Sequence, residues 1–224
     1  FDRALESYFF RGLYNYDNKY YLNASIRTDG SSVFQKDVRW GTFYAIGASW
    51  RIDQEEFMQN ISWIDQLKIR ASYGEVGNDQ LNDSYLSQAR FNITSNAAQP
   101  AILFTDIGNA DLLWETSESF DVALEFRLLN NFLDGSLEYY KKSTVDLLFN
   151  QPIPLSEGQD EAPFNVGDMY NSGYEATLTA HLFKTNDFDW DLGLQASTFK
   201  NEITKLIAPS DAGSKRWDEG RSRY

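Results

Sequence analysis

The feature that most constrains this chain is a two-residue alternation of apolar and polar side chains. In the segment LKIRASY (67–73), every second residue is apolar, and Lys68, Arg70 and Ser72 occupy the positions between. Such alternation is typical of a β-strand whose two faces meet different surroundings. The pattern recurs and predicts about eight strands, near residues 7–16, 20–27, 42–52, 67–73, 119–128, 132–142, 174–182 and 188–197. One short helix is predicted in QEEFMQNISWID, residues 54–65.

The connections between these strands are alternately short and long. Short turns are predicted at 17–19, 129–131 and 184–187, and long connections at 28–41, 75–116 and 143–172. The connection at 53–66 is the exception, because it should be short and is not. If consecutive strands are antiparallel, all short turns lie at one end of the sheet, as in outer-membrane barrels.

The sequence therefore predicts an all-β fold, a transmembrane antiparallel β-barrel with long extracellular loops. A soluble β-sandwich remains an alternative, because its strands alternate in the same way. In the barrel, the apolar register should face lipid and the charged register the lumen. The positions predicted to face lipid are Leu22, Ile26, Ile69, Val122, Leu124, Leu178, Leu192 and Leu194, and those predicted to face the lumen are Arg70, Glu125, Arg127, Glu175 and Asp191.

Composition excludes several classes of function. The chain has no cysteine, one histidine, and 20 basic against 33 acidic residues, for a net charge of −13. Disulfide scaffolds, thiolate zinc sites, cysteine nucleophiles and multi-histidine metal centres are thereby excluded. So acidic a chain also argues against a nucleic-acid partner. The paired carboxylates of Asp189 and Asp191 are interpreted as lumen charges, so we expect neither enzymatic activity nor a cofactor.

Several segments, in order, resemble the SusC/RagA family of TonB-dependent outer-membrane transporters from Bacteroidetes. The similarity is densest in KYYLNASIRTDGSSVF (19–34) and RWGTFYAIGASWRI (39–52), followed by IDQLKIRASYGEVGN (64–78). It continues through NADLLWETSESFDVALEF (109–126), in which Ala110 stands where the family usually has proline. YYKKSTVDLLF, NVGDMYNSGYEATLTAHL and NEITKL then follow in the family's order.

This resemblance implies that residues 1–224 are part of the β-barrel domain of a TonB-dependent receptor, about eight strands of a roughly 22-stranded barrel. The plug, the TonB-binding segment and both ends of the barrel are expected outside this stretch. The implied function is TonB-dependent import of oligomeric nutrients, glycans or peptides, across the outer membrane. The implied partners are a SusD-like surface lipoprotein, the TonB complex acting through the plug region, and outer-membrane lipid. A surface or secreted glycan-binding sandwich is the alternative.

Five residues are candidates for contact with a substrate. Arg70, Glu125 and Arg127 offer charges on the predicted lumen face, and Tyr85 and Trp114 offer aromatic surface in the longest loop. Aromatic loop residues also pack loops against one another, which is the competing interpretation for these two. The loop 76–115 is too rich in apolar residues for a disordered segment and is predicted to contact the lipoprotein or the substrate. The alternative is that its apolar residues cover only the loops of this barrel.

Overall fold

The computed structural model describes residues 3–79, 85, 87–96, 99–159, 161–206, 210–212 and 215–222. The strands within this part of the chain are β1 (Leu5–Tyr16), β2 (Tyr20–Ser31), β3 (Trp40–Arg51), β4 (Ile64–Asn78), β5 (Arg90–Asn96), β6 (Gln99–Asp106), β7 (Glu115–Leu128), β8 (Leu133–Val145), β9 (Leu148–Pro152), β10 (Glu161–Asn165), β11 (Gly167–Lys184), β12 (Asp189–Ser197), β13 (Lys200–Leu206), β14 (Ser210–Ala212) and β15 (Lys215–Trp217). Within the described residues, no helix has the length and apolar character needed to cross a membrane.

One antiparallel sheet dominates the molecule, with the strand order β1-β2-β3-β4-β7-β8-β11-β12. Strand β13 also pairs with β11, continuing the line of β12. The pairs Glu175↔Ser197 and Ser172↔Lys200 are three residues apart on both strands, so β12 and β13 occupy one position in the sheet. The described sheet therefore has eight strand positions, which confirms the predicted all-β fold and its strand number.

The register places each alternating pattern on a single face, because directly opposed residues of antiparallel strands point the same way. The two predicted sets, of lipid-facing and of lumen-facing positions, fall on opposite faces of the sheet. One apolar row crosses seven strands through Tyr14, Leu22, Ala48, Ala71, Val122, Tyr139 and Tyr174. Leu22, Leu192 and Leu194 on this face are exposed, and each further sheet of the described residues has only two strands, contrary to what a sandwich requires.

The short turns follow from local backbone chemistry. Asp17 and Asn18 adopt positive φ angles of 53° and 52° between β1 and β2. Asp and Asn tolerate this left-handed conformation better than other residues with side chains. Residues 129–131, between β7 and β8, also adopt positive φ angles. The amide of Leu129 donates a hydrogen bond to the carbonyl of Trp63, with an N···O distance of 2.8 Å.

The helix predicted over residues 54–65 was wrong in type and extent. The structure has two single-turn 3-10 helices there, Ile52–Gln54 and Glu56–Met58, and β4 already begins at Ile64. Side-chain hydrogen bonds stabilise these turns, a role that backbone hydrogen bonds have in a longer helix. The carboxylate of Glu55 accepts hydrogen bonds from Tyr20 at 2.5 Å and from the indole of Trp50 at 2.9 Å.

The long connections contain structure that the sequence pattern did not indicate. Residues 79–114 include the hairpin β5–β6, and residues 146–166 include the hairpin β9–β10 and a 3-10 turn at Leu155–Glu157. Both connections leave from the end of the sheet where the 32–39 loop lies, since Asn78 pairs with Glu115 and Val145 with Thr116. The predicted separation of long connections from tight turns is therefore seen in the sheet.

Candidate functional site

The centre of the polar face is a cluster of ion pairs around Arg70. Its guanidinium nitrogens lie 2.5 Å from Asp121, 2.9 Å from Glu125 and 2.5 Å from Glu138. The ammonium of Lys68 also lies 3.1 Å from Glu125. These residues come from β4, β7 and β8, so Arg70 joins three adjacent strands. All are partly exposed, which leaves the cluster accessible from the space above this face.

A second group of charges continues along the same face. Arg127 contacts Asp134 at 2.9 Å, and the imidazole of His181 lies 3.1 Å from Asp134 and 2.7 Å from Asp191. This group crosses β7, β8, β11 and β12. The histidine therefore bridges two carboxylates on the polar face, one on each of the strands beside its own.

Three of the five candidate residues therefore lie on the polar face. Arg70 and Glu125 are in direct contact, and Arg127 belongs to the neighbouring group. Their role in contacting a substrate remains a prediction. Asp134 and Glu138 were not among the positions predicted from the sequence, although both belong to the polar register of LDGSLEYY (133–140). That strand alternates less cleanly, because glycine and paired tyrosines interrupt the pattern.

Trp114 is not part of either charged group and lies in a core formed by residues of the long connections and by Phe43 of β3. Its side chain packs against Val33, Phe34, Phe43 and Leu112, and only 8% of the residue is exposed. The indole donates a hydrogen bond to the carbonyl of Arg39 at 3.0 Å. The structure thus gives Trp114 a packing role, whereas contact with a substrate remains a prediction. Tyr85 is partly exposed in the same connection, and its carbonyl accepts a hydrogen bond from Gln88 at 2.9 Å.

Buried polar contacts fix this loop core to the sheet. The carboxylate of Asp79 accepts hydrogen bonds from Arg3 and from Ser31, each at 2.5 Å. Ser87 donates to the carbonyl of Val33 at 2.8 Å, which ties the 79–114 connection to the 32–39 loop. Since a buried carboxylate is stable only when its lone pairs are satisfied, these contacts specify one arrangement of the loops.

Glycines allow the aromatic rings of the core to lie directly on the backbone. A Cβ atom at Gly77 would stand 2.0 Å from the ring of Phe43, and one at Gly41 would stand 2.6 Å from the same ring. Both distances are far below van der Waals contact. The Phe43 ring in turn meets Trp114 edge-on, with 5.6 Å between ring centroids. The absence of side chains at Gly41 and Gly77 therefore makes room for the core.

The described residues form no cluster of three or more His, Asp or Glu side chains that could hold a metal ion. The loop sequence also contains an oxygen-rich group, Asn78, Asp79, Asn82 and Asp83, of which residues 82 and 83 lie outside the described residues. Asp79 is engaged as described above, and the amide of Asn78 donates to Glu115 at 3.1 Å.

At the opposite end of the sheet, carboxylates stabilise the irregular connection between β3 and β4. Asp53 accepts hydrogen bonds from Arg51 at 2.6 Å, from Gln54 at 2.7 Å and from the amide of Leu67 at 3.2 Å. Burial of Asp53 raises its pKa, but these hydrogen bonds outweigh burial and hold the pKa below its usual value. The pKa of Glu55 is likewise lowered, by its hydrogen bonds from Tyr20 and Trp50.

Comparison with known proteins gives a consistent result. The family model for the β-barrel of TonB-dependent receptor-like proteins matches residues 2–220. The chain is 38% identical over 206 residues to TonB-dependent receptor P26 of Formosa agariphila, covering 90% of this chain and 21% of that protein. It is 32% identical to the TonB-dependent receptor SusC of Bacteroides thetaiotaomicron, covering 93% and 22% respectively. The chain thus spans about a fifth of the length of these relatives.

Solved structures agree with the sequence relatives. The structure of the RagAB peptide transporter superposes with a TM-score of 0.87 at 28% identity, over 97% of this chain and 25% of that chain. The siderophore receptor PirA from Pseudomonas aeruginosa superposes with a TM-score of 0.55 at 14% identity, a likeness of fold alone. The family is one of outer-membrane receptors and transporters, and these are not enzymes. The chain belongs to the TonB-dependent receptor β-barrel family, and it is part of the barrel of a receptor of the SusC/RagA type.

Proposed function

We propose that this chain forms part of the wall of an outer-membrane nutrient importer. The observation that carries the proposal is the two-sided sheet, with one continuous apolar face and one face of linked ion pairs. The apolar face would contact outer-membrane lipid and the ion-paired face the lumen. The long connections would then be extracellular and the tight turns periplasmic.

The side chains exposed on the apolar face support this orientation. Leu22, Ile26, Leu192 and Leu194 are 44–62% exposed in the isolated chain. In water so broad an apolar surface would promote aggregation, whereas in a bilayer it is the surface that inserts. Aromatic pairs lie near both ends of the sheet, Tyr8 against Trp40 and Tyr20 against Trp50, where a barrel meets the two membrane interfaces.

We further propose that the importer acts with a SusD-like lipoprotein and takes up an oligomeric nutrient, an oligosaccharide or a peptide. Support comes from the similarity to SusC and to a structure described as a peptide transporter. Coupling to TonB would pass through the plug region, outside the described chain. In the wall itself, Arg70, Glu125 and Arg127 would line the substrate path with fixed charges, and no covalent chemistry is needed.

The test uses the full-length receptor in its own cells. Deleting its gene should abolish uptake of one class of labelled oligomer, and a plasmid copy should restore it. Disrupting TonB should abolish the same uptake. Parallel assays with peptide and oligosaccharide mixtures identify the substrate class. Unchanged uptake of both classes in the deletion strain would contradict the importer function, and release of the receptor from membranes without detergent would favour the sandwich alternative.

A further inference from the structure

The apolar face of the sheet contains a groove along β7, β8, β11 and β12. The groove has a volume of about 530 Å³, and the atoms that line it are almost all apolar. Its lining includes the small residues Ala176 and Ala196, directly paired across β11 and β12, beside the larger Leu124, Tyr139 and Tyr174. The remaining strands of a barrel would continue the sheet beside this groove and not over it, so the groove does not result from the length of the chain.

A row of polar side chains lies directly beyond the groove, toward the end of the sheet that carries the long connections. Lys141, Ser172 and Lys200 are aligned across β8, β11 and β13, since Ser172 pairs with both lysines. They lie two residues beyond Tyr139 and Tyr174 along the strands and therefore share the face of the groove. Both lysines are exposed. We name Lys141, Ser172 and Lys200 the lysine row.

The ring of Tyr170 brings the two ammonium groups together. Lys141 Nζ lies 4.9 Å and Lys200 Nζ 5.8 Å from the ring centroid, within the range of a cation–π contact. Lys200 is also paired with Glu202 at 2.6 Å, and the Tyr170 hydroxyl donates a hydrogen bond to Glu202 at 2.8 Å. Among the described residues no ion pair is seen for Lys141. Two ammonium groups and one carboxylate leave a net positive charge at the end of the groove.

The lysine row lies at the depth of a membrane interface if the sheet spans the bilayer as proposed. The stacked rings of Phe183 and Trp190, with centroids 5.8 Å apart, mark the other interface on β11 and β12. Ser172 is eleven residues from Phe183 along β11, about 36 Å of extended strand. A tilt of about 40° reduces this to about 28 Å across the membrane, close to the apolar band of roughly 25 Å in such barrels. The lysines would therefore reach the headgroups, while the groove lies at the depth of the hydrocarbon chains.

We propose that the groove and the lysine row form a binding site for a phosphate-bearing lipid of the outer leaflet. A hydrocarbon chain would occupy the groove, and the phosphate would lie between Lys141, Ser172 and Lys200. This inference rests on the proposed function, which places the apolar face in the membrane. Ammonium groups attract a phosphate as point charges, and a serine hydroxyl donates a hydrogen bond to its oxygens. A free anion would leave the groove empty and an uncharged lipid would leave the lysines unpaired, so the two features together select an anionic lipid.

The charges on the neighbouring strands confine the site to β8, β11 and β13. On the same face, Glu75 of β4 and Glu118 of β7 are directly paired. Two adjacent carboxylates repel an anionic headgroup. The wall therefore does not attract phosphate evenly along its rim, and binding at the lysine row should be localised and saturable.

The experiment uses the purified full-length receptor in detergent and measures bound lipid by native mass spectrometry. The probe is diphosphorylated lipid A, and the comparison probe is the same lipid after removal of both phosphates. The test variant is Lys141→Gln with Lys200→Gln. The matched control is Lys142→Gln with Arg11→Gln, which removes two cations from the polar face. We expect the test variant to bind the phosphorylated lipid about tenfold less than the parent, and the control to bind the parental amount.

Two further variants separate the headgroup from the chain. Lys141→Arg with Lys200→Arg should keep the binding, because it keeps both charges. Ala176→Phe should fill the groove and weaken the binding of both probes. Heat-modifiable migration in gels reports barrel assembly, which should be unchanged in every variant.

The outcomes separate this inference from the function on which it rests. Equal binding of phosphorylated lipid by the parent and the glutamine variant would refute the site, as would equal binding of the two probes by the parent. Complete displacement of the lipid by inorganic phosphate would show a site for a free anion and would also refute it. Each of these results leaves the proposed function standing, because import is measured separately in cells. Release of the receptor from membranes without detergent would overturn both proposals.

Discussion

Replacing Arg70 with alanine should weaken the sheet measurably, because three strands share this one guanidinium. The variant loses contacts to Asp121, Glu125 and Glu138 and leaves three carboxylates facing one another. Since the Arg70 side chain is 34% exposed, each lost contact is taken at the solvent-screened value of about 0.5 kcal/mol. Repulsion between neighbouring carboxylates, at about 1 kcal/mol or less for a pair in water, adds to this loss. The expected loss is about 2 kcal/mol, or roughly thirtyfold in the unfolding equilibrium.

The assay is urea unfolding of the full-length receptor in lipid vesicles, followed by tryptophan fluorescence. Arg11→Ala is the matched control, because Arg11 lies exposed on the same face and the described residues show no ion pair for it. Arg70→Lys should fall between the parent and Arg70→Ala, since lysine keeps the charge but not the fork of donors. In about 1 M NaCl the repulsive part of the deficit should shrink, because charges are then screened within about 3 Å. Equal midpoints for Arg70→Ala and Arg11→Ala would refute the argument.

Three further predictions address the faces, the topology and the pH response. Leu124→Arg places a charge on the apolar face and should destabilise the barrel by roughly 2–4 kcal/mol if the site is near the bilayer midplane, whereas Ser136→Arg, beside Glu125 on the polar face, should not. The yield of heat-modifiable receptor in membranes measures both effects; equal yields would contradict the assignment of the two faces, and a lower yield for Ser136→Arg would reverse it. Cysteines introduced at Ser156 and Asn186 should differ on intact cells, with an impermeant maleimide labelling only position 156; labelling only at 186 would invert the topology. The lowered pKa of Asp53 means that its hydrogen bonds stabilise the β3–β4 connection above the unfolded value near 3.9. This contribution is lost as pH falls from there through the lowered value, so hydrogen-exchange protection of residues 52–67, corrected for intrinsic rates, should decline below about pH 4, and Asp53→Asn should remove that pH dependence.

The transmembrane part of the fold could be predicted from sequence because its strands are long and differ sharply between faces. The segment LKIRASY needs only alternation to place Arg70 on the polar side and Ile69 on the other. The β5–β6 hairpin was not predicted, because β5 is only seven residues long and the run AILF in β6 is apolar without interruption. An unbroken apolar run hides a two-residue period.

The site was predictable in its chemistry but not in its pairing. Alternation placed Arg70 and Glu125 on one face, but register decides that Arg70 meets Glu138 two strands away. Register depends on the turn geometry at Leu129–Asn131, where a leucine adopts a positive φ angle that its own preference does not suggest. Trp114 shows a different limit, since a loop tryptophan suits a binding surface and a packed core equally well until its neighbours are known.

Because three carboxylates share Arg70, substitutions meant to change the selectivity of the proposed passage have a further effect. A single substitution at Asp121, Glu125 or Glu138 would not only subtract one charge, because the guanidinium would redistribute toward the two carboxylates that remain. Under the proposed function, permeation and assembly would then change together, and a selectivity screen based on single substitutions would not distinguish the two effects. Variants should instead exchange Arg70, Lys68 and the three carboxylates as a unit, for example for serine and threonine. No charge of the cluster is then left without its partner while the charge along the proposed passage is changed.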